Sequence, residues 1–337
     1  MKNINFIDLF SGVGGFTSGL IKAGYKHVLS IDNNKYCQDT YKLNFPEDQF
    51  LLKDISKLKK NDLLNAIRRK KIHLVVGGPP CQGFSTIGKR ISSKESIRES
   101  KDIRNNLVYE FLKIIEFIKP NVFVMENVKG IKTREKGVIF MNLLKKIEKS
   151  GYNYKVKVLN AAHYGVPQNR ERVFIIGTNT KKNMEFPEET HGSELFNLKP
   201  LKTVGEALMG LENKKRVKNH IPLKHGPINI KRYKLIPEGG RMPEEKLPKE
   251  LYRRNFGNTF KRLDRKLPSL TMVPGHNAFP LHPTLNRSLT VREAARIQTF
   301  DDKFEFIGSR QEQCILVGNA VPVELSKILA RHIKKML

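Results

Sequence analysis

The sequence contains few cysteines and no long apolar run, and each shortage excludes a class of protein. Only three cysteines, Cys37, Cys81 and Cys314, occur in 337 residues, and they are far apart. They cannot form a disulfide framework or the paired spacing of a zinc site, so we expect a reducing, cytoplasmic setting and no metal. No stretch of about 18 apolar residues occurs and no signal-peptide pattern begins the chain, so we expect no membrane partner.

Acidic residues are also scarce. The chain has 33 Asp and Glu against 62 Lys and Arg, a net charge of +29. Such a surplus favours a polyanionic partner, nucleic acid first, although a general bias towards Lys and Asn on a solvated surface is the alternative. The surplus is uneven, because residues 199–266 hold 19 Lys and Arg but 7 Asp and Glu. This concentration favours a dedicated nucleic-acid-binding region.

The pattern of apolar residues changes along the chain. Alternating strand and helix patterns extend to about residue 178, and clear helical periodicity then disappears until about residue 289. The length suits one large domain and one smaller domain. We therefore predict a large α/β domain formed by 1–178 and 286–337, with a smaller irregular domain, 179–285, inserted into it.

One stretch, Gly-Gly-Pro-Pro-Cys-Gln-Gly-Phe-Ser at 77–85, follows a short apolar, β-branched run at 74–76. The run predicts a buried strand of a parallel sheet, and the glycines and prolines predict a rigid loop at its carboxyl end. Open α/β sheets carry their chemistry at this edge. Cys81 is therefore a candidate nucleophile, whereas a buried, unreactive thiol is the usual role of a lone cysteine.

A glycine-rich turn follows the first predicted strand, within Phe-Ile-Asp-Leu-Phe-Ser-Gly-Val-Gly-Gly-Phe at 6–16. Glycine turns between a strand and a helix bind nucleotides in doubly wound folds. The glycines are Gly12, Gly14 and Gly15, and Thr17 stands where a dinucleotide fingerprint needs its third glycine. Asp8 within the motif suits a cationic ligand better than a pyrophosphate.

Two further aspartates, Asp32 and Asp54, end the second and third predicted strands. An acid about 20 residues after such glycines can bond ribose hydroxyls, and Asp54 could accept a hydrogen bond from an adenine amino group. A lone aspartate at a strand end is usually a cap or a turn former. Three aspartates at successive strand ends nevertheless favour a cofactor site.

Later strands carry candidate catalytic groups. Glu126 ends the strand predicted over 121–128, and adjacent central strands would place it near Cys81. Arg170 and Arg172 lie two residues apart at the start of another strand, so we expect them on one face. A pair of surface arginines is the alternative.

Six motifs in the same order resemble those of the DNA (cytosine-5)-methyltransferases of bacterial restriction-modification systems. They are Asp-Leu-Phe-Ser-Gly-Val-Gly-Gly-Phe (8–16), Gly-Pro-Pro-Cys-Gln-Gly-Phe-Ser (78–85), Glu-Asn-Val (126–128), Gln-Asn-Arg-Glu-Arg (168–172), Arg-Glu-Ala-Ala-Arg-Ile-Gln (292–298) and Gly-Asn-Ala-Val-Pro (318–322). The likeness covers about 1–178 and 286–337. One departure, Thr-Phe-Asp-Asp at 299–302 in place of a proline before the aspartate, affects only a local turn.

The resemblance implies a Rossmann-like, S-adenosylmethionine-dependent fold with a mixed, mostly parallel sheet and a smaller irregular target-recognition domain. It implies methyl transfer to carbon 5 of a flipped-out cytosine in a specific double-stranded DNA sequence. Cys81 would attack carbon 6, Glu126 would donate a proton to ring nitrogen 3, and Arg172 would hold the ring oxygen. A separate restriction endonuclease with the same target, needing no direct contact, and a monomeric state are further implications.

The resemblance also assigns residues to three groups. The catalytic group comprises Cys81, Glu126, Arg170 and Arg172. The cofactor-binding group comprises Asp8, Phe10, Gly12, Gly14, Gly15, Phe16 (packing on the adenine), Asp32, Asp54, Ile55, Pro79, Leu107, Asn319 and Ala320. The DNA-binding group comprises Gln82, Ser85, Lys89 and Arg90, and the basic region adds Arg253 and Arg254 as candidate phosphate contacts.

Two other classes of protein remain open. A nicotinamide-dependent oxidoreductase would account for the glycine turn and Asp32, but it leaves Cys81, Glu126 and the basic region without a role. An RNA cytosine-5 methyltransferase or a catalytically idle DNA-binding relative would share the fold. The Gly-Phe-Ser after Cys81-Gln82 and the large basic region favour DNA, and activity on duplex DNA against transfer RNA separates these alternatives.

Overall fold

A computed structural model describes residues 3–80, 107–211, 216–253, 256–273 and 279–337. These residues form two compact units, and the range given for each unit refers only to the described residues within it. The first unit comprises Met1–Asn160, Glu171–Glu188 and Ser326–Leu337. The second comprises Ala161–Arg170 and Glu189–Leu325.

Nine strands, ten α-helices and several short 3-10 helices make up the regular structure of the described residues. The strands are β1 (Asn5–Leu9), β2 (Lys26–Asp32), β3 (Phe50–Leu52), β4 (Leu74–Gly77), β5 (Val122–Val128), β6 (Asn153–Asn160), β7 (Gln168–Asn169), β8 (Glu171–Thr178) and β9 (Ser269–Leu270). The helices are α1 (Gly15–Lys22), α2 (Lys35–Asn44), α3 (Lys60–Ile67), α4 (described over 107–118), α5 (Val138–Lys149), α6 (Val204–Leu208), α7 (Pro227–Lys234), α8 (Val291–Ile297), α9 (Arg310–Asn319) and α10 (Val323–Ile333).

The first unit is built on a seven-stranded sheet with the order β3-β2-β1-β4-β5-β8-β6. Strands β1 to β5 pair with one another in parallel, and β8 runs antiparallel to both β5 and β6. The strand order changes direction between β1 and β4, which is the place where doubly wound sheets bind ligands. The predicted α/β class with a mixed, mostly parallel sheet is confirmed.

Apolar side chains on both faces of the central strands form the core of this unit. Every residue of β4 is buried, as its β-branched sequence predicts for a strand covered on both faces. Helix α5 buries Ile139, Leu143 and Ile147 at helical spacing. The core therefore fixes the carboxyl ends of β1, β2, β4 and β5 as a rigid edge.

The second unit has little regular structure, as the sequence predicts. Its sheet has two short strands, β7 and β9, and a small apolar cluster includes Tyr233, Phe260 and Leu281. The capping box predicted at the start of α8 is present, with Thr290 and Glu293 each bonding the other's backbone N–H.

Helices α8 and α9 belong to this second unit, whereas the sequence pattern placed them with 286–337 in the large domain. The reason is packing, because α8 contacts α6 and α9. The stretch Arg310–Ile333 is long and apolar enough to pass for a membrane span, and 67% of its most apolar window is buried inside the protein. It consists of two helices, and core helices of soluble proteins show the same property.

Candidate active site

The turn after β1 has a backbone that few residue types adopt. Phe10, Gly12 and Gly14 have φ angles of 55°, 54° and 87°. Gly14 begins α1, and a Cβ there would lie 2.9 Å from Phe45 and 3.0 Å from Tyr41. Glycine is therefore required at position 14 for conformation and for space.

Asp32 holds this turn against the carboxyl end of β2. Its Oδ2 accepts a hydrogen bond from the backbone N–H of Gly12 at 2.9 Å, and its Oδ1 accepts one from Asn34 at 2.9 Å. Burial raises the pKa of Asp32, and these N–H donors oppose the rise. A Cβ on Gly12 would meet no other described residue within 4 Å, so the turn faces open space beside a carboxylate.

Asp54 lies at the end of β3, where it caps a short 3-10 turn, Ile55–Lys57. Its Oδ1 accepts hydrogen bonds from both the backbone N–H and the hydroxyl of Ser56, at 2.9 and 2.8 Å. Asp54 therefore has the capping role that is usual for an aspartate at a strand end. Both of these hydrogen bonds go to the same carboxylate oxygen, Oδ1. Ile55 is 4% exposed and packs into the core.

The two aromatic residues predicted to bind cofactor differ in exposure. Phe16 is 6% exposed and lies within α1, whereas Phe10 is half-buried at the end of β1. The backbone carbonyl of Phe16 accepts a hydrogen bond from Ser326 in α10. Phe10 is thus the more accessible of the two predicted cofactor contacts.

Asp8 has no exposed surface, although the sequence places it in the cofactor-binding group. The hydroxyl of Thr17 donates to its Oδ2 at 2.8 Å. Burial raises the pKa of Asp8 to about 7, and hydrogen bonds from Thr17 oppose that rise. Its contacts are those of a group that holds α1.

The end of β4 requires glycine because the backbone of β1 approaches closely. A Cβ on Gly77 would overlap the carbonyl oxygen of Leu9. A Cβ on Gly78 would lie 3.2 Å from Oε2 of Glu126. The side-chain amide of Asn127 donates to the carbonyl of buried Pro79 at 3.3 Å, so β5 holds the segment that leads to Cys81.

Glu126 and Arg172 form an ion pair in the first unit. The Nε of Arg172 lies 3.2 Å from Oε1 of Glu126, and the two side chains are 16% and 12% exposed. Their strands are adjacent, since Val128 of β5 pairs with Arg172 of β8. A carboxylate and a guanidinium thus meet beside Gly78, which precedes Cys81 by three residues in the sequence.

Arg170 does not share this arrangement, contrary to the expectation that the two arginines lie on one face. It precedes β8, belongs to the second unit and is 3% exposed. Its Nη1 donates to the carbonyl of Gly318 at 3.1 Å. The break between β7 and β8 is the reason, because period-two alternation holds only within one strand.

The turn that contains Asn319 and Ala320 is anchored by two buried glutamines. Gln298 donates to the carbonyls of Val317 and Ala320 at 2.9 and 3.3 Å. Gln168 donates to Gln298 at 2.9 Å. Neither glutamine is among the site residues predicted from the sequence. Each nevertheless lies within one of the six motifs. Asn319 itself is exposed.

Several predicted site residues lie outside the described residues: Cys81, Gln82, Ser85, Lys89, Arg90 and Arg254. Leu107 begins the described part of α4 and is half-buried. Arg253 is exposed, and its guanidinium lies 5.5 Å from the centre of the Phe260 ring. A solvated guanidinium held over an aromatic ring is suited to a phosphate contact.

Comparison with known proteins identifies the class that this fold and site define. The sequence model of the C-5 cytosine-specific DNA methylase family matches residues 4–335 of this chain. The chain therefore belongs to that family. It is therefore a cytosine-5 DNA methyltransferase that uses S-adenosylmethionine and acts on DNA.

Curated relatives extend over almost the whole chain. It is 36% identical to the Type II methyltransferase M1.HphI of Haemophilus parahaemolyticus over 99% of this chain and 87% of the relative. It is 34% identical to the Type II methyltransferase M.NgoFVII of Neisseria gonorrhoeae over 95% of this chain and 85% of the relative.

Solved structures are similar in fold. One protein, assigned as a DNA modification methyltransferase encoded within an E. coli prophage, matches with a TM-score of 0.71 and 25% identity over 99% of both chains. The S. pombe Dnmt2 methyltransferase matches with a TM-score of 0.62 and 20% identity over 99% of both chains; this second likeness concerns the fold alone.

Proposed function

We propose that Cys81 is the nucleophile of the methyl transfer and that Glu126 and Arg172 act on the same cytosine ring. The thiolate of Cys81 adds to carbon 6 of a cytosine taken out of the duplex. Glu126 gives a proton to ring nitrogen 3, which offsets the negative charge that this addition creates. Arg172 holds the ring oxygen, and loss of the proton from carbon 5 later releases Cys81.

The observation that carries this proposal is the Glu126–Arg172 pair beside the loop that leads to Cys81. Both side chains are largely buried and 3.2 Å apart, so each fixes the orientation of the other. Asn127 bonds Pro79 and thereby ties the loop to the same strand as Glu126. Acid, cation and nucleophile are then carried by adjacent strands β4, β5 and β8.

The residues around the β1 turn fit S-adenosylmethionine, which supplies the methyl group. The open space at Gly12 and the carboxylate of Asp32 suit a ligand with hydroxyls that approaches the backbone closely. In this proposal Asp32 accepts from ribose hydroxyls, Asp54 accepts from the adenine amino group, and Phe10 packs on the adenine. Arg170 supports the turn at Gly318 instead of touching cytosine.

The second unit, with its basic segment 199–266, recognises the target DNA sequence in this proposal. Exposed Arg253 contacts phosphate, while loops of the unit meet base edges. The similarity to Type II methyltransferases supports a role as the modification half of a restriction-modification system. A companion endonuclease with the same target would act separately, and we propose that the chain works as a cytoplasmic monomer.

Covalent trapping tests the catalytic assignment. DNA synthesised with 5-fluorocytosine should become bonded to Cys81, because fluorine cannot leave carbon 5 as the proton does. A long DNA of varied sequence supplies the unknown target. With S-adenosylmethionine present, we expect a protein–DNA complex that survives denaturing electrophoresis.

The matched control is Cys314→Ser, which changes a cysteine that is 1% exposed in α9. That variant should still be trapped, whereas Cys81→Ser should not. A complex that persists in Cys81→Ser, or none with the wild-type protein, would contradict the proposed nucleophile.

A further inference from the structure

A chain of polar side chains lies buried beneath the β1 turn, and none of the proposed chemistry uses it. The hydroxyl of Thr17 donates to Asp8 at 2.8 Å and lies 3.5 Å from the hydroxyl of Ser30. Ser30 donates to the hydroxyl of Tyr41 at 2.9 Å, and that hydroxyl lies 2.9 Å from Nε2 of His27. We call these five residues the hydroxyl chain.

The outer end of the hydroxyl chain reaches a carboxylate nearer the surface. Nδ1 of His27 lies 3.2 Å from Oδ1 of Asp48, and the two side chains are 2% and 22% exposed. The inner end is fully buried, because Asp8 has no exposed surface. The hydroxyl chain therefore runs from the interior of the sheet towards solvent.

Two members of the hydroxyl chain hold the cofactor loop directly. The ring of Tyr41 lies against Gly14, where an added Cβ would be 3.0 Å away. Gly14 is the N-cap residue of α1 and has no side chain to cap the helix. Asp8 accepts hydrogen bonds from both the hydroxyl and the backbone N–H of Thr17, in the first turn of α1. Asp8 thus caps α1 from the neighbouring strand.

We propose that Asp8 and Tyr41 are positioning residues of the cofactor site, and that S-adenosylmethionine binding selects the ionised form of Asp8 and releases its proton. This proposal rests on the assignment of the β1 turn to the cofactor. The ionised carboxylate is the better partner for the two Thr17 donors and for the positive end of the α1 dipole. The cationic sulfonium and ammonium groups of the cofactor favour the same form.

The surroundings of Asp8 make this ionisation sensitive to pH near neutrality. Burial, with a smaller contribution from the charge of Asp32, raises its pKa to about 7. The residue opposite Asp8 on the neighbouring strand β4 is Val76, whose side chain is apolar. Oδ1 of Asp8 has no hydrogen-bond partner among the described residues. Among the described residues, therefore, no donor bonds that oxygen, and the charge of a cationic ligand at the β1 turn would favour its ionised form.

The sign of the expected effect follows from linkage. A ligand that prefers ionised Asp8 lowers its pKa, so affinity rises as pH rises through 7. For a free-protein pKa of about 7, the dissociation constant should fall about tenfold between pH 6 and pH 8. At pH 7 about half a proton should be released for each cofactor bound.

Calorimetry of the full chain with S-adenosylmethionine alone tests this proposal. Titrations in buffers of different ionisation enthalpy count the protons released, and repeats from pH 6 to pH 8 give the affinity profile. Asp8→Asn keeps the shape and the Thr17 acceptor but cannot ionise. It should bind more than about tenfold more weakly than the wild type at pH 8, with a flat profile and no contribution to proton release.

Tyr41→Phe keeps the ring under Gly14 and removes only the hydroxyl, which contacts both Ser30 and His27, while Ser30 still lies 3.0 Å from Nε2 of His27. Loss of one buried hydrogen bond should weaken cofactor binding by roughly threefold to tenfold at pH 8. Tyr36→Phe is the matched control, since Tyr36 lies on the same helix and is 40% exposed. It should bind cofactor like the wild type.

Three results would overturn the proposal: an affinity that does not change between pH 6 and 8, an unchanged pH profile in Asp8→Asn, or equal affinities in Tyr41→Phe and Tyr36→Phe. Thermal unfolding of each variant separates a binding defect from a folding defect. Failure of the wild type to bind S-adenosylmethionine at any pH would instead contradict the cofactor site itself.

Discussion

At the scale of single residues, Glu126 is the side chain whose role the geometry makes most specific. It lies against Gly78 and is paired with Arg172, so its carboxyl group is held beside the segment that leads to Cys81. Glu126→Gln keeps the size and removes the acid. We expect the rate constant for methyl transfer to fall roughly 100-fold, the usual contribution of general acid catalysis.

Single-turnover kinetics with saturating cofactor measures this rate constant directly. Glu171→Gln is a matched control, because Glu171 lies in β8 beside Arg172 but is 52% exposed and pairs with Lys129. Its rate constant should stay at the wild-type value. Equal rate constants in the two variants would show that Glu126 is structural.

The sequence predicts some site residues better than others for a physical reason. Asp32 and Glu126 are recognisable because each ends an apolar strand, and parallel strands end at one edge of a sheet. The choice between Phe10 and Phe16 depends on a left-handed backbone at Phe10, which apolar periodicity does not report. The partner of Arg170 is 148 residues away in the chain.

At the scale of elements, buried arginines organise the irregular second unit. Arg262 is 4% exposed and donates to five acceptors between 2.7 and 2.9 Å away. Four of the acceptors are backbone carbonyls, including those of Tyr233 and His282. One planar guanidinium thus joins segments that helices and strands do not connect.

Replacing Arg262 should therefore destabilise this unit. Arg262→Lys keeps the charge but has too few donors for these acceptors. Arg262→Met removes all of them and leaves buried carbonyls unpaired, so we expect a loss of roughly 3 kcal/mol in the free energy of unfolding. Denaturant unfolding measures the change.

The control for Arg262 is Arg265→Ala in the same segment. Arg265 is 60% exposed and pairs with Glu238 on the surface, where ion pairs contribute little. A comparable loss of stability in both variants would contradict the role given to Arg262. Both arginines belong to the basic segment 199–266, and the sequence alone does not show that one is buried and the other exposed.

At the scale of the whole molecule, the division into units follows packing more than sequence texture. The change of sequence pattern near residue 178 lies at the end of β8, whereas the first unit continues to Glu188. The return of helical periodicity near residue 289 does not mark a return to the first unit, which resumes at Ser326. The assignment of 179–285 alone to target recognition stays a prediction.

The net charge of +29 is best interpreted at this scale too. Some of the basic residues of segment 199–266 are internal, as Arg232 and Arg262 show with exposures of 9% and 4%. Others, such as Arg253, are exposed. The surplus therefore serves both the internal bonding of the second unit and the attraction of DNA phosphates.

Base-resolution mapping of 5-methylcytosine in plasmid DNA from bacteria that express this protein tests the central claim most directly. We expect 5-methylcytosine at one position in every copy of a short recurring sequence, and none in plasmid from cells that express Cys81→Ser. Unmodified plasmid alongside methylated transfer RNA, or methyl groups on exocyclic amino groups, would contradict cytosine-5 methylation of DNA through Cys81.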